Sequence, residues 1–123
     1  MQTARGDRSL ATAILYLVDE ENPSRFHRLA FDEMWFFHNG SPVKMVMLDD
    51  PASAPRLAVL DGDHPQILVP GGVWMAAGVH GDGWTLVSCV VTPGFEYEDF
   101  ERADPQALLK EFPEAVEVIT AFG

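Results

Sequence analysis

Apolar positions recur along the chain in short runs, most alternating with polar ones and each closed by Gly, Pro, Asp or Asn. That is the period-two pattern of half-buried strands. Ala11–Val18 is the first run, ended by the charged turn Asp19-Glu20-Glu21-Asn22-Pro23. Arg25–Leu29 and Glu33–His38 predict two short strands around Ala30-Phe31-Asp32, and Asn39-Gly40 is a tight-turn dipeptide between β-rich segments. Val43–Leu48, Arg56–Leu60 and Gln66–Val69 follow, separated by Asp49-Asp50-Pro51 with Pro55 and by Asp61-Gly62-Asp63. Pro70-Gly71-Gly72 turns the chain into Val73–Val79, and His80-Gly81-Asp82-Gly83 joins this run to Trp84–Val91 as a hairpin. Roughly eight or nine strands at this spacing predict two packed antiparallel sheets, a sandwich or barrel.

Only the end of the chain reads as helical. Asp104 is placed as an N-cap with Pro105 at the first helical position, and Leu108, Leu109 and Phe112 fall on one face. This predicts a helix over Asp104–Phe112, with a second helical turn from Pro113 carrying Ala115, Val116 and Ile119. Residues 1–10 carry no such pattern and are expected to be poorly ordered. There is no internal repeat and no linker, so 123 residues read as one domain, 1–123.

Composition narrows the partners. The chain has 8 Lys and Arg against 19 Asp and Glu, a net charge of −11. Such a surface repels phosphate backbones and anionic lipid, which argues against nucleic acid and membrane partners. Much of the charge sits late, from Glu96 to Glu117, where it reads as a solvated face. The single cysteine, Cys89, lies in an apolar run and has no second thiol to pair with, which suits a reducing cytoplasm. Met1–Leu10 lacks the apolar stretch of a signal peptide, and Ala13–Val18 is too short to span a bilayer.

Candidate chemistry gathers in two stretches. Phe26-His27-Arg28 is followed by Glu33 and, seven positions beyond it, by Gly40; Pro70-Gly71-Gly72-Val73-Trp74-Met75 is the second stretch. The first resembles the first cupin motif, in which histidine precedes a glutamate and a glycine follows after six residues. The second resembles the second motif, Pro-x-Gly with a histidine beyond it. The likeness is greatest to a cupin branch, similar to the RmlC-like sugar isomerases, described as predicted sugar epimerases. The shared elements are Phe26-His27-Arg28 with Asp32-Glu33 and Trp35, Pro65-Gln66 with Pro70 and Gly72-Val73-Trp74, and Pro93-Gly94-Phe95 with Asp99-Phe100-Glu101. The resemblance implies a mainly β, cupin-type double-stranded β-helix (a jelly-roll barrel) with a short C-terminal helix, and commonly a homodimer formed through edge strands. Two features depart from it. The Pro-His-Pro-Glu-Gly-Gly stretch that opens the branch is not among residues 1–10, and Met75 stands where the second-motif histidine would be.

Three readings of the site follow. In the first, a small polar molecule, sugar-like as the resemblance implies, binds in the barrel. His27 and Glu33 are then the catalytic candidates, and Trp35, Gln66, Trp74, Met75 and Phe95 line the ligand. Epimerases of this fold use a histidine base and an acid on the opposite sugar face, often tyrosine. Neither Tyr16, in a strand without a motif, nor Tyr97, in the acidic segment, stands in a motif position. In the second, His27 and Glu33 hold a divalent metal for dioxygenase or isomerase chemistry, although such sites want about three imidazoles and a carboxylate. Leu29 occupies the place of a paired histidine, and His64 and His80 lie in turns; His38 is the fourth histidine. The third is a non-catalytic structural or interaction domain. A carboxylate beside an imidazole favours the imidazolium, so His27 and Glu33 as one unit predict a raised His27 pKa.

Overall fold

The computed structural model describes residues 1–123. The chain runs β1 (Gln2–Thr3), β2 (Gly6–Asp7), β3 (Thr12–Asp19), β4 (Ser24–Leu29), β5 (Asp32–Gly40), β6 (Val43–Leu48), β7 (Arg56–Leu60), β8 (Gln66–Val69), β9 (Trp74–Val79), β10 (Trp84–Thr92), β11 (Phe100–Arg102), α1 (Pro105–Glu111) and α2 (Val116–Phe122). Two antiparallel sheets oppose each other, one ordered β3-β10-β5-β8 and the other β11-β4-β9-β6-β7. The β1–β2 hairpin stands apart from both. This is the expected two-sheet β architecture with short C-terminal helices.

Alternation decides what each strand buries. Along β9, Met75 and Ala77 join Trp35, Met45, Val87 and Cys89 in the core between the sheets. Their neighbours Trp74 and Ala76 point the other way and join Phe26, Val46, Leu108 and Ile119 in a second core under the helices. The five-stranded sheet is therefore apolar on both faces, which is why β6 and β9 read as near-continuous apolar runs. Asp104 caps α1, its side chain accepting from the Gln106 amide at 3.3 Å, with Pro105 in the first turn. Two turn glycines hold close approaches between strands. Gly40 has φ +106°, and a Cβ there would collide with the Trp84 carbonyl oxygen; a Cβ at Gly71 would come within 2.6 Å of the Ala30 carbonyl oxygen.

Two segments differ from expectation. Residues 1–10, expected to be poorly ordered, form a hairpin pinned to the start of the chain's acidic segment. Arg5 Nε meets Asp99 Oδ1 at 2.8 Å, and the buried Arg8 reaches Glu98 at 2.6 Å and Asp99 at 3.1 Å. Burial alone would raise the Asp99 pKa, but Arg8, the Glu96 amide and Arg5 outweigh it and hold the carboxyl below its ordinary value. The pairing is invisible in sequence because its partners lie more than ninety residues apart. The second segment is β11, which the acidic composition reads as solvated face. Three residues are too few to show a period, yet they extend the five-stranded sheet beside β4.

Candidate functional site

One large cavity, about 900 Å³, opens between the sheets at the end where β3, β4, β5, β10 and β11 meet. That volume falls within the range of small-molecule sites. His27, Ser24, Arg25 and Leu29 come from β4, Glu33 and Trp35 from β5, Tyr16 from β3, and Phe100 and Arg102 from β11, while Phe95, Glu96 and Tyr97 reach it from the loop after β10. The Arg5 and Arg8 clasp on Asp99 holds the far end of that loop.

A bulge in β4 builds the histidine's setting. Ser24 pairs with Ala77 and His27 with Met75, so β4 spends three steps where β9 spends two. The extra residue brings both Ser24 and His27 onto the cavity wall, and it leaves the Arg25 carbonyl facing the imidazole. His27 Nδ1 lies 2.8 Å from that carbonyl oxygen. A carbonyl only accepts, so Nδ1 carries the proton and Nε2 of the neutral ring keeps its lone pair. Nε2 has no protein partner, and it is not among the fully enclosed unpartnered atoms, which are Arg8 Nε and Trp74 Nε1. It therefore reaches the cavity. The ring stacks on Phe100 with centroids 5.2 Å apart and planes at 20°. Burial lowers the His27 pKa, the Arg25 carbonyl opposes this, and the Arg102 charge lowers it further.

Glu33 faces His27 from the other sheet. Its Oε1 accepts from Trp35 Nε1 at 2.9 Å, and both side chains are buried. Burial raises the Glu33 pKa, and the Trp35 hydrogen bond only partly offsets this. The expected direct pairing of His27 with Glu33 does not form. Neither residue contacts the other as an ion pair or hydrogen bond; each is held by its own strand instead. The expected rise in the His27 pKa is likewise replaced by a fall, because desolvation outweighs a carboxylate that stands across the cavity.

Of the sequence-predicted ligand residues, Trp35 and Phe95 line this cavity with His27 and Glu33, and three others do not. Met75 lies directly across from His27 and faces inward, but its thioether is buried in the core between the sheets. Trp74, one residue earlier on β9, faces outward under the helices, with the Arg28 guanidinium 4.3 Å from its ring centroid. Gln66 is exposed on β8, paired with Phe36 on the outer side of the four-stranded sheet, while its neighbour Ile67 takes the inward place. Tyr16 is the residue that sequence reasoning passed over. It packs edge-on against Trp35 with centroids 5.8 Å apart, and burial raises its phenol pKa, opposed by the Ser24 hydroxyl. Its alternation with buried Val18 was the available signal. Tyr97 also lines the cavity but is 89% exposed. Burial and the Glu33 charge push the Cys89 thiol well up, so it is no nucleophile.

The donor set does not fit a divalent metal. No group of three or more His, Cys, Asp and Glu side chains converges anywhere in the molecule. Within the cavity, His27 Nε2 and the free Glu33 oxygen stand on opposed sheets, and the inward position beside His27 holds a thioether.

A family profile described as Cupin superfamily (DUF985) matches residues 1–103. The chain belongs to the cupin superfamily. This cupin is 36% identical to protein SO0799 from Shewanella oneidensis, with a TM-score of 0.87 over 95% of this chain and 77% of that one. It is 32% identical to a hypothetical protein from Leishmania major, with a TM-score of 0.89 over 100% and 82%. A dTDP sugar isomerase from Desulfovibrio desulfuricans G20 shares the fold at 17% identity and a TM-score of 0.68, covering 93% and 76%. Among curated proteins, none matches significantly. No helix of the cupin is long and apolar enough to cross a membrane.

Proposed function

We propose that this cupin binds a small polar molecule bearing a carbonyl group between its sheets, and that His27 acts on it as a general base. The observation that carries the reading is the His27 ring: its proton is fixed on Nδ1 by the Arg25 carbonyl, its pKa is lowered, and Nε2 is presented to the cavity unprotonated. Such a base takes the proton from a carbon next to a carbonyl, and the electron pair passes to the carbonyl oxygen. Glu33 stands on the opposed sheet with a raised pKa, which favours its acid form as the donor that returns a proton from the other face. Tyr16, whose phenol holds its proton more tightly still, hydrogen-bonds the ligand beside it. Proton removal on one face and return on the other is epimerisation; return to the neighbouring carbon is isomerisation. The shared fold of the dTDP sugar isomerase agrees with a sugar-like ligand.

The test is carbon-bound proton exchange. A panel of aldoses, ketoses, hydroxy acids and oxo acids incubated in D2O is followed by NMR. Deuterium is expected at the carbon next to the carbonyl of at least one compound, and His27→Gln abolishes it while the fold persists. If no compound exchanges and none raises Tm, the reading fails and the interaction-domain alternative gains.

Assembly belongs to the same proposal. We infer that two copies associate through the outer face of the four-stranded sheet. Leu15, Leu17 and Leu68 stand exposed there at 71, 54 and 49%. The outward-facing acids of the four-stranded sheet, Asp19 on β3 and Asp32 on β5, lie at its ends and accept from turn amides. In a chain of charge −11, this central strip lets two copies meet without opposing carboxylates. The edge strand β3 offers a further self-complementary contact. Light scattering at micromolar concentration is expected to give twice 13.6 kDa, and Leu15→Arg should return it to a single chain. A single-chain mass for the unaltered protein overturns this.

A further inference from the structure

The chain's six arginines divide cleanly. Arg5, Arg8, Arg28 and Arg56 each reach an Asp or Glu side chain within 4.0 Å. Arg25 and Arg102 reach none, in a chain with 19 acids to offer. Both line the cavity that holds His27. The Arg25 side chain donates to the main-chain oxygen of Gly123, at 3.2 Å, and the Arg102 side chain has no hydrogen-bonded partner.

The strand geometry keeps Arg102 free. On β11, Phe100 and Arg102 face the cavity while Glu101 faces away, where it pairs with Arg28 at 2.9 Å. Arg102 lies directly across from His27 in the β11–β4 ladder. Its near neighbour in sequence therefore cannot neutralise it, because alternation puts the two on opposite sides of the sheet. The cavity's own carboxylates are Glu33 and Glu96. Glu33 is tied to Trp35 on the facing sheet, and Glu96 closes the turn before β11 by a reciprocal cap with Asp99. Neither pairs with an arginine.

We propose that the cavity selects small organic acids, and that Arg102 binds the ligand's carboxylate beside His27. This rests on the reading of the cavity as a ligand site and names the ligand class. A planar guanidinium takes a carboxylate through two parallel hydrogen bonds, so it fixes orientation as well as charge. With the carboxylate held at Arg102, the adjoining carbon lies beside Nε2 of the residue paired with it. The chemistry required is then a 2-hydroxy acid or a sugar acid, whose carbon next to the carboxylate carries the proton, or a 2-oxo acid, whose acidic proton lies one carbon further on. Arg102 is its positioning residue. One unpaired guanidinium at an open mouth is too little for a nucleotide diphosphate with its further base and ribose contacts, but enough for one carboxylate.

The experiment pairs acids with uncharged analogues. Lactate, pyruvate and glucuronate are titrated against lactamide, acetone and glucose, with the His27 imidazole NMR signals and Tm as readouts. At least one acid is expected to shift the His27 signals and raise Tm, while its analogue binds at least about tenfold more weakly. Arg102→Gln should weaken binding of the acid by about tenfold to a hundredfold, Arg102→Lys should recover part of the loss, and Arg56→Gln, outside the cavity, should leave binding unchanged. If acid and analogue bind equally and both move His27, the ligand site stands and the anion assignment falls. If the acid binds Arg102→Gln as well as the unaltered protein, Arg102 is not the anchor. If no compound moves the His27 signals, both this assignment and the ligand site on which it rests are overturned.

Discussion

The two sheets of this cupin treat their outer faces in opposite ways. On the five-stranded sheet, the outer side chains of β4, β6 and β9 are covered by the two C-terminal helices, and Phe26, Val46, Ala76 and Ile119 are sealed to 1% exposure or less. On the four-stranded sheet, the outer face of β3 and β8 carries the leucines Leu15, Leu17 and Leu68, and nothing of the chain covers them; Leu15 is 71% exposed. The same alternating pattern therefore produces a second core on one sheet and an open surface on the other. Which outcome follows depends on chain remote in sequence from the strands themselves.

The largest effect should come from breaking the covered side. Phe26→Ala empties a ring buried against Phe122 and the helices, at a cost of about 3–5 kcal/mol in urea unfolding. Leu15→Ala, measured on a dilute single chain, should cost within about 0.5 kcal/mol. At higher concentration its cost should grow, because a face that docks a second copy contributes stability by mass action. Equal costs for the two substitutions at every concentration would mean that the faces do not differ as described.

The same contrast explains what could be read in the sequence. Strands β6, β7 and β8 begin and end at the predicted residues, Val43–Leu48, Arg56–Leu60 and Gln66–Val69, because each is bounded by a Pro, Gly or Asp turn that admits no extension. Facing was harder. Trp74 and Met75 are adjacent, so both cannot enter the cavity, but nothing local says which one turns inward when both faces of β9 are apolar. Gln66 was misplaced for the opposite reason: it stands on the strand next to a motif, and only the register with Phe36 shows that it points out. The bulge that sets Ser24 and His27 on one wall is a property of β4 paired with β9, and period-two counting along β4 cannot find it. Arg102 escaped notice because a three-residue strand in an acidic tail carries no pattern.

A smaller effect separates the two walls of the cavity itself. Glu33 sits in the four-stranded sheet with its pKa raised by burial. A carboxyl whose folded pKa lies above its unfolded value costs stability once it is charged, so the cost appears as pH rises from about 4.5 and is complete above the folded pKa. Glu33→Gln removes that cost and keeps an oxygen for Trp35 Nε1. Its Tm should therefore exceed that of the unaltered protein at pH 7 and converge with it near pH 4, while proton exchange on any substrate is lost. His27 carries the opposite slope: its lowered folded pKa costs stability as pH falls below about 6.5, where the unfolded chain takes up a proton first. A Glu33→Gln advantage that does not change between pH 4 and pH 7 would contradict the raised carboxyl.

The smallest effect is the sharpest test of which neighbours His27 feels. On its own sheet it has Arg102, directly across from it on β11; across the cavity it has Glu33, which it does not touch. Charge on a shared ladder acts through protein, whereas charge on the far wall acts through a cavity open to water, whose higher dielectric screens it. Arg102 lowers the His27 pKa and Glu33 contributes nothing resolvable beside burial and the Arg25 carbonyl. Titrating the His27 ring by NMR should thus give a pKa below 6.5 in the unaltered protein, a higher value in Arg102→Gln, and little change in Glu33→Gln. The reverse order, with Glu33→Gln lowering the value and Arg102→Gln leaving it alone, would restore the direct imidazole–carboxylate pair that the motif spacing suggests. It would also detach Arg102 from the site, since a guanidinium too remote to act on the imidazole is too remote to place a carboxylate beside it.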